Sequence, residues 1–215
     1  MSVKLVSYSQ PPVGESEKSL QDLVAYCARV SNPANQMNKE TNQRLIAYLI
    51  KNQHWSPLEM VNVCLEIETT RDIARQILRH RSFSFQEFSQ RYAIADLGFE
   101  TREARMQDNA NRQNSIDTDD LELNIDWQLK QRELAEQVAG VYQWAIDRGI
   151  AKEQARAVLP EGMTKTRMYM NGSLRSWIHY IQLRCANGTQ KEHREIAVMC
   201  ADEIARVFPM IADFI

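Results

Sequence analysis

The chain reads as an α+β fold built as one domain, and three features of its 215 residues carry that reading. Val61 to Glu68 alternates cleanly, with Val61, Val63, Leu65 and Ile67 on one face and Asn62, Cys64, Glu66 and Glu68 on the other, the period of a half-buried strand. Several other stretches carry apolar residues at helical spacing instead. No Gly/Ser/Pro-rich linker divides the sequence, and an apolar content of 44% suffices for one full-sized core. Residues 1–215 are therefore expected to form a single domain, a small mixed or antiparallel sheet packed by several helices.

Taken in order, Val3 to Tyr8 predicts a short strand, ended by a turn at Pro11-Pro12. Leu23, Val24, Cys27 and Val30 predict a helix over Leu20 to Val30, stopped by Asn32-Pro33; Leu45, Ile46, Leu49 and Ile50 predict a second over Asn42 to Lys51. His54 to Pro57 is a connecting turn. After the Val61 strand, Thr70 is placed to cap a helix striped by Ile73, Ala74, Ile77 and Leu78, fading near Arg81. Ser82 to Tyr92 shows no sustained period. Ala95 to Trp127 is polar and weakly patterned, and is expected to be a flexible or functional loop. Leu129 to Arg148 is amphipathic and stops at Gly149; a short helix spans Lys152 to Leu159. Thr164 to Met170 alternates, Asn171-Gly172-Ser173 leads into a helix through Arg184, and a last helix runs from about Lys191 to Phe208.

Composition excludes some functions. With a formal net charge of -2, the whole chain has no general attraction for nucleic acid or anionic membrane, so any anion site must be local. No apolar run approaches the ~20 residues of a membrane span. Cys27, Cys64, Cys185 and Cys200 are scattered, as reduced thiols of a cytoplasmic protein would be. His54, His80, His179 and His193 show no metal-ligand spacing, and no metal is expected.

The densest chemical signal is Arg71 to Tyr92, where Arg71, Arg75, Arg79, Arg81 and Arg91 face only Asp72 and Glu87, a formal +3. Arg71, Arg75 and Arg79 stand at successive i, i+4 positions, a repulsive arrangement that a solvated basic face would explain. Arg79-His80-Arg81 fits that explanation less well, because three consecutive side chains at a helix end point in different directions. Guanidinium forks grip phosphate bidentately. The following Ser82-Phe83-Ser84-Phe85-Gln86-Glu87-Phe88-Ser89-Gln90-Arg91-Tyr92 adds hydroxyls, amides and rings. The residues alone describe an anion site beside a planar-ring site.

Arg79-His80-Arg81-Ser82-Phe83-Ser84 resembles the R-H-R-x-x-S signature of flavin-dependent thymidylate synthases, and Glu87 to Tyr92 resembles the E-x-S-x-R-Y that follows it. Ala28-Arg29-Val30-Ser31, His54-Trp55-Ser56-Pro57-Leu58-Glu59, Glu153 to Pro160 (E-x-A-R-x-x-L-P), and Leu174 to Arg184 followed by Gln190 extend the resemblance over most of the chain. Asn109 to Gln113 fits a polar segment of many members. Ser173 stands where the family often has asparagine, and Cys185 to Gln190 lacks a histidine found in some members.

The resemblance implies a homotetramer with active sites shared between subunits, methylating dUMP to dTMP. FAD would be the cofactor, with methylenetetrahydrofolate and NADPH as co-substrates. It implies dUMP contacts at Gln76, Arg79, Glu87, Ser89, Gln90, Arg91, Arg156 and Arg184, with Ser89 and Arg91 on the phosphate and Arg156 near it. FAD contacts are implied at Ser56, Arg79, His80, Arg81, Glu87, Ser173, Leu174, Arg175 and His179, and His54 is a candidate for shaping the folate and flavin pocket. Arg184 is the implied catalytic residue: lying against the uracil, a cation favours the N3-deprotonated base, so that no cysteine nucleophile is needed. Without that resemblance, Arg184 reads as a cation at a helix C-terminus. The main alternative is a nucleic-acid-binding module using the 71–92 arginines, with Phe83, Phe85, Phe88 and Tyr92 as stacking platforms. A helical scaffold would leave the Arg79-His80-Arg81 cluster without a purpose.

Overall fold

The computed structural model describes residues 1–11 and 19–215. It is an α+β fold: a four-stranded antiparallel sheet with helices on one face. Strand β1 (Ser2–Tyr8) leads toward α1 (Leu20–Ala28) and α2 (Asn42–Lys51), then β2 (Asn62–Thr70), α3 (Arg71–Ile77) and β3 (Ser84–Glu87). A small hairpin of β4 (Arg105–Gln107) and β5 (Ser115–Asp117) precedes the long α4 (Leu121–Asp147) and the short α5 (Lys152–Ala155). Strand β6 (Lys165–Ser173), α6 (Leu174–Cys185) and α7 (Lys191–Ala205) complete the order. Pro12 of the expected turn lies outside the described residues.

The sheet order is β1-β2-β6-β3. Register pairs Leu65 with Met170 and Ile67 with Met168, so the alternating apolar set of β2 meets that of β6 on a single face. All four side chains are fully buried beneath Trp177, Ile178 and Ile181 of α6 and Ile196, Cys200 and Ile204 of α7. Trp177 Nε1 donates to the Val63 carbonyl at 3.0 Å, satisfying its buried donor. The opposite face is polar, with Arg167 donating to Glu68 at 2.8 Å and Tyr169 to Glu66 at 3.0 Å across β2 and β6.

Two expectations need correction. The stretch from Ser82 to Tyr92 contains β3, an edge strand whose inward Phe85 and Glu87 alternate with outward Ser84 and Gln86. Four residues are too few for the pattern to stand out. Nor is 95–127 one loop: Asp108 folds it by accepting from the backbone N–H groups of Ala110 and Asn111, and α4 starts at Leu121, where Asp120 accepts from the Leu123 N–H at 2.9 Å. The first turns of α4 were illegible because Leu121, Leu123, Ile125 and Trp127 are all substantially exposed in the protomer, leaving no stripe toward its core.

Candidate active site

The turn from Leu78 to Phe83 sends three consecutive side chains in different directions. Arg79 and Arg81 are exposed and have no ion-pair partner among the described residues. His80 points inward, edge-on to Tyr180 with ring centroids 4.9 Å apart. Its Nε2 accepts from Arg184 Nε at 2.9 Å, which places the imidazole proton on Nδ1. Burial, then the Arg184 and Arg79 charges, lower the His80 pKa to about 4, so the ring is neutral at pH 7. Arg184 is thus held through Nε by an uncharged partner. Half-buried in the last turn of α6, it pairs with no carboxylate among the described residues, and its two Nη groups remain for a ligand.

The arginine stripe of α3 divides. Arg71, buried, and Arg75 both reach Glu87 (3.5 and 2.9 Å) and Glu161 (3.2 and 3.6 Å), while Thr166 Oγ1 donates to Glu87 at 3.0 Å. The solvated-face reading therefore fails for Arg71, which is locked into an ion-pair network because a buried guanidinium requires compensation, while Arg75 stays exposed and paired. Of the three, Arg79 has no ion-pair partner among the described residues. Glu87, expected at both ligands, has both oxygens engaged within the protomer.

A second cluster forms where β3 exits. The N–H groups of Tyr92 and Ala93 both donate to the Ser89 carbonyl at 3.0 Å, closing a turn with an exposed Ser89 side chain. Arg91 Nε lies 3.4 Å from Glu153 Oε2, and Arg156 Nε donates to the Glu153 carbonyl at 3.4 Å. Ser89, Arg91 and Arg156 are thereby gathered around α5. Gln90 is buried, with Nε2 unpartnered. This cluster and the His80 turn lie at opposite ends of β3, a span of about 13 Å for four extended residues.

The residues expected at FAD collect at the start of α6. Ser173 is its N-cap, accepting from the Ser176 N–H at 3.3 Å. Ser176 Oγ donates to the Ser82 carbonyl at 3.2 Å, so the turn carrying Arg81 abuts the turn carrying Arg175. Arg175 pairs with Glu59, and Leu174 is fully buried in the core. One turn on, His179 lies edge-on to Trp55, centroids 4.5 Å apart, its pKa lowered by burial and by Arg175. Ser56 and His54 are exposed on the adjoining segment, His54 standing 6.1 Å from Tyr48.

Sequence reading missed Trp55, Glu153, Glu161 and the buried His193. His193 shares the i, i+3, i+7 stripe with Ile196 and Cys200, so its burial was legible. Two of the four proposed stacking rings are unavailable: Phe83 is buried against Trp177 and Tyr180, and Phe85 packs against the core. Burial raises the thiol pKa of Cys64, Cys185 and Cys200, disfavouring their thiolates. A groove of about 540 Å³ between the β4–β5 hairpin and α4 shares only Gln190 with the residues expected at the site.

The family described as thymidylate synthase complementing protein matches residues 13–210. The chain is 48% identical over 212 residues to a probable flavin-dependent thymidylate synthase of Paramecium bursaria Chlorella virus 1, covering 99% of this chain and 97% of the viral protein. It is equally similar, 48% over 214 residues, to the flavin-dependent thymidylate synthase of Synechocystis sp., covering 99% and 98%. Its fold matches the UMP/dUMP methylase PolB from Streptomyces cacaoi, solved with 5-Br dUMP, at a TM-score of 0.81 and 25% identity over 99% of this chain and 93% of that one.

Proposed function

The chain belongs to the family of flavin-dependent thymidylate synthases, and from that premise we propose how its own residues carry the methylation of dUMP. The observation that carries the reading is Arg184: a half-buried guanidinium with no carboxylate partner among the described residues, oriented by a histidine that is neutral at pH 7. Such a cation is matched to an anion supplied by the substrate. Lying against the uracil, Arg184 favours the N3-deprotonated base and so makes C5 nucleophilic toward the folate methylene carbon. His80 fixes Arg184 without adding a competing negative charge. Ser89, Arg91 and Arg156 hold the phosphate, and Gln76, Arg79, Glu87 and Gln90 complete the dUMP contacts.

The donor set fits FAD. Arg79 and Arg81, without ion-pair partners among the described residues, suit a diphosphate, and the Trp55–His179 pair one step away offers an aromatic face to a planar ring system. His80, Ser56, Ser173, Leu174, Arg175 and Glu87 would border the cofactor, with His54 at the folate side. When bound and reduced, with NADPH as the reductant, FAD would supply the hydride that forming dTMP from dUMP and methylenetetrahydrofolate requires.

Two features support a homotetramer with composite active sites. The phosphate cluster and Arg184 stand at opposite ends of β3, so a neighbouring subunit can bring its own cluster to this Arg184. The 27-residue α4 buries only Gln131, Tyr142 and Ala145 within the protomer, leaving Leu121, Ile125, Val141 and Trp144 exposed for subunit contact. Among the described residues no helix is long and apolar enough to cross a membrane, and the four cysteines are unpaired, in keeping with a cytoplasmic setting.

Tritium release from [5-³H]dUMP tests the reading. Release together with dTMP formation is expected only when FAD, NADPH and the folate are all present. Release that persists without flavin would overturn it.

A further inference from the structure

His193 lies in the first turn of α7, fully buried, and takes no part in the chemistry described above. It joins a hydrogen-bonded chain whose direction is fixed from one end. Glu192 accepts from Arg105 and, at 2.9 Å, from Gln190 Nε2. A carboxylate can only accept, so Gln190 must turn its Oε1 toward Gln76, whose Nε2 donates to it at 2.7 Å. The Gln76 Oε1 then faces His193 Nδ1 at 3.2 Å and must accept from it. The histidine proton therefore sits on Nδ1, and the bare Nε2 accepts from the Tyr180 hydroxyl at 3.2 Å. Each amide has one orientation, because reversing Gln190 would set its oxygen against the Glu192 carboxylate and reversing Gln76 would set its oxygen against that of Gln190.

The consequence falls on Gln76. One of its two N–H groups goes to Gln190 and its oxygen to His193, which leaves one N–H without a partner among the described residues. Gln76 is half-buried in the last turn of α3, three residues before Arg79. We propose that His193 is a positioning residue for dUMP: it locks the Gln76 amide so that the free N–H is presented to an acceptor oxygen of the nucleotide. This rests on the reading of Gln76 as a dUMP contact. His193 itself does not touch the substrate. A histidine suits the position because its ring bridges a fixed acceptor on α3 and a fixed donor on α6, where an aliphatic side chain would leave the Tyr180 hydroxyl and the Gln76 oxygen unsatisfied.

The test is a double-mutant cycle on the flavin-loaded enzyme, reading dUMP affinity by titration, with FAD content and thermal midpoint alongside. His193→Phe fills the space and removes both bonds. It is expected to weaken dUMP about tenfold, the value of one neutral hydrogen bond, raising KM with little change in kcat and no change in FAD content. Gln76→Ala should cost at least as much, and the double variant no more than Gln76→Ala alone. His193→Asn, whose amide N–H falls where Nδ1 lies, should recover most of the affinity. Additive losses, or a His193→Phe enzyme with wild-type dUMP affinity, would overturn the positioning role. Should Gln76→Ala leave dUMP affinity unchanged, the assignment of Gln76 itself fails and the inference goes with it. If His193→Phe does not fold, His193→Leu serves instead: it removes the same two bonds with a smaller side chain. A loss of dUMP affinity smaller than that of Gln76→Ala supports the role, and unchanged affinity removes it.

Discussion

At the scale of single residues, Arg184 shows how the same side chain changes meaning with its neighbours. In the sequence it is a cation at a helix end. In the structure no carboxylate among the described residues meets it, and the group that does is an imidazole kept neutral by burial and by two arginines. Arg71 and Arg75 look equally basic in the sequence, yet Glu87 and Glu161 occupy them. The distinction lies in long-range partners, since Glu161 is 90 positions from Arg71. The expected result for Arg184→Ala is retention of FAD, seen in the flavin absorbance, with dTMP formation reduced about 10²–10³-fold, as when a preorganised charge-stabilising donor is removed. Wild-type turnover in that variant would take Arg184 out of the mechanism.

At the scale of elements, the site depends on how closely β6 and the His80 turn approach. Gly172, opposite Val63 in the sheet, leaves room for the Phe83 ring: an added Cβ would stand 2.4 Å from Phe83 Cδ1. That ring is wedged between Trp177 and Tyr180 and has nowhere to swing. Gly172→Ala should therefore destabilise the fold by about 1–3 kcal/mol through overpacking, measured by denaturant unfolding. Because Phe83 closes the turn that carries His80, FAD affinity should fall with it; an alanine variant of wild-type stability would mean the ring relocates freely. Element boundaries follow the same logic. The strand β2 was legible because one of its faces is fully buried by this chain. The start of α4 was not, because its apolar residues have no partner within the protomer.

For the whole molecule, two buried histidines tie stability to pH. His80 and His193 have pKa values lowered to about 4 and about 3, burial being the first cause in each. The unfolded chain protonates its histidines near 6.5, so below that pH it binds more protons than the native state. This contribution is complete above pH 6.5 and is lost as pH falls through 4 toward 3. The thermal midpoint should decline steadily below pH 6.5, and less steeply in His193→Phe; a midpoint flat from pH 7 to 4.5 would contradict the assignment. Assembly gives the other prediction. Ile125→Glu places a charge on the exposed apolar surface of α4 and should leave the protomer folded by circular dichroism. Sedimentation should then show smaller species, with activity lost alongside; an intact, active assembly would remove α4 from the subunit contact.

The sequence by itself determined what depends on residues close together along the chain: the periods of the main helices and of β2, the Arg79-His80-Arg81 turn, and the family resemblance carried by short motifs. Only the tertiary structure decided which charges are cancelled and which are free, because ion pairing and burial join positions scores of residues apart. It paired Arg71 with Glu161, left Arg184 without a carboxylate among the described residues, gathered Arg91 and Arg156 around Glu153, and set His193 beneath Gln76. A charge acts by what surrounds it, and those surroundings form only when the sheet and helices close over one another.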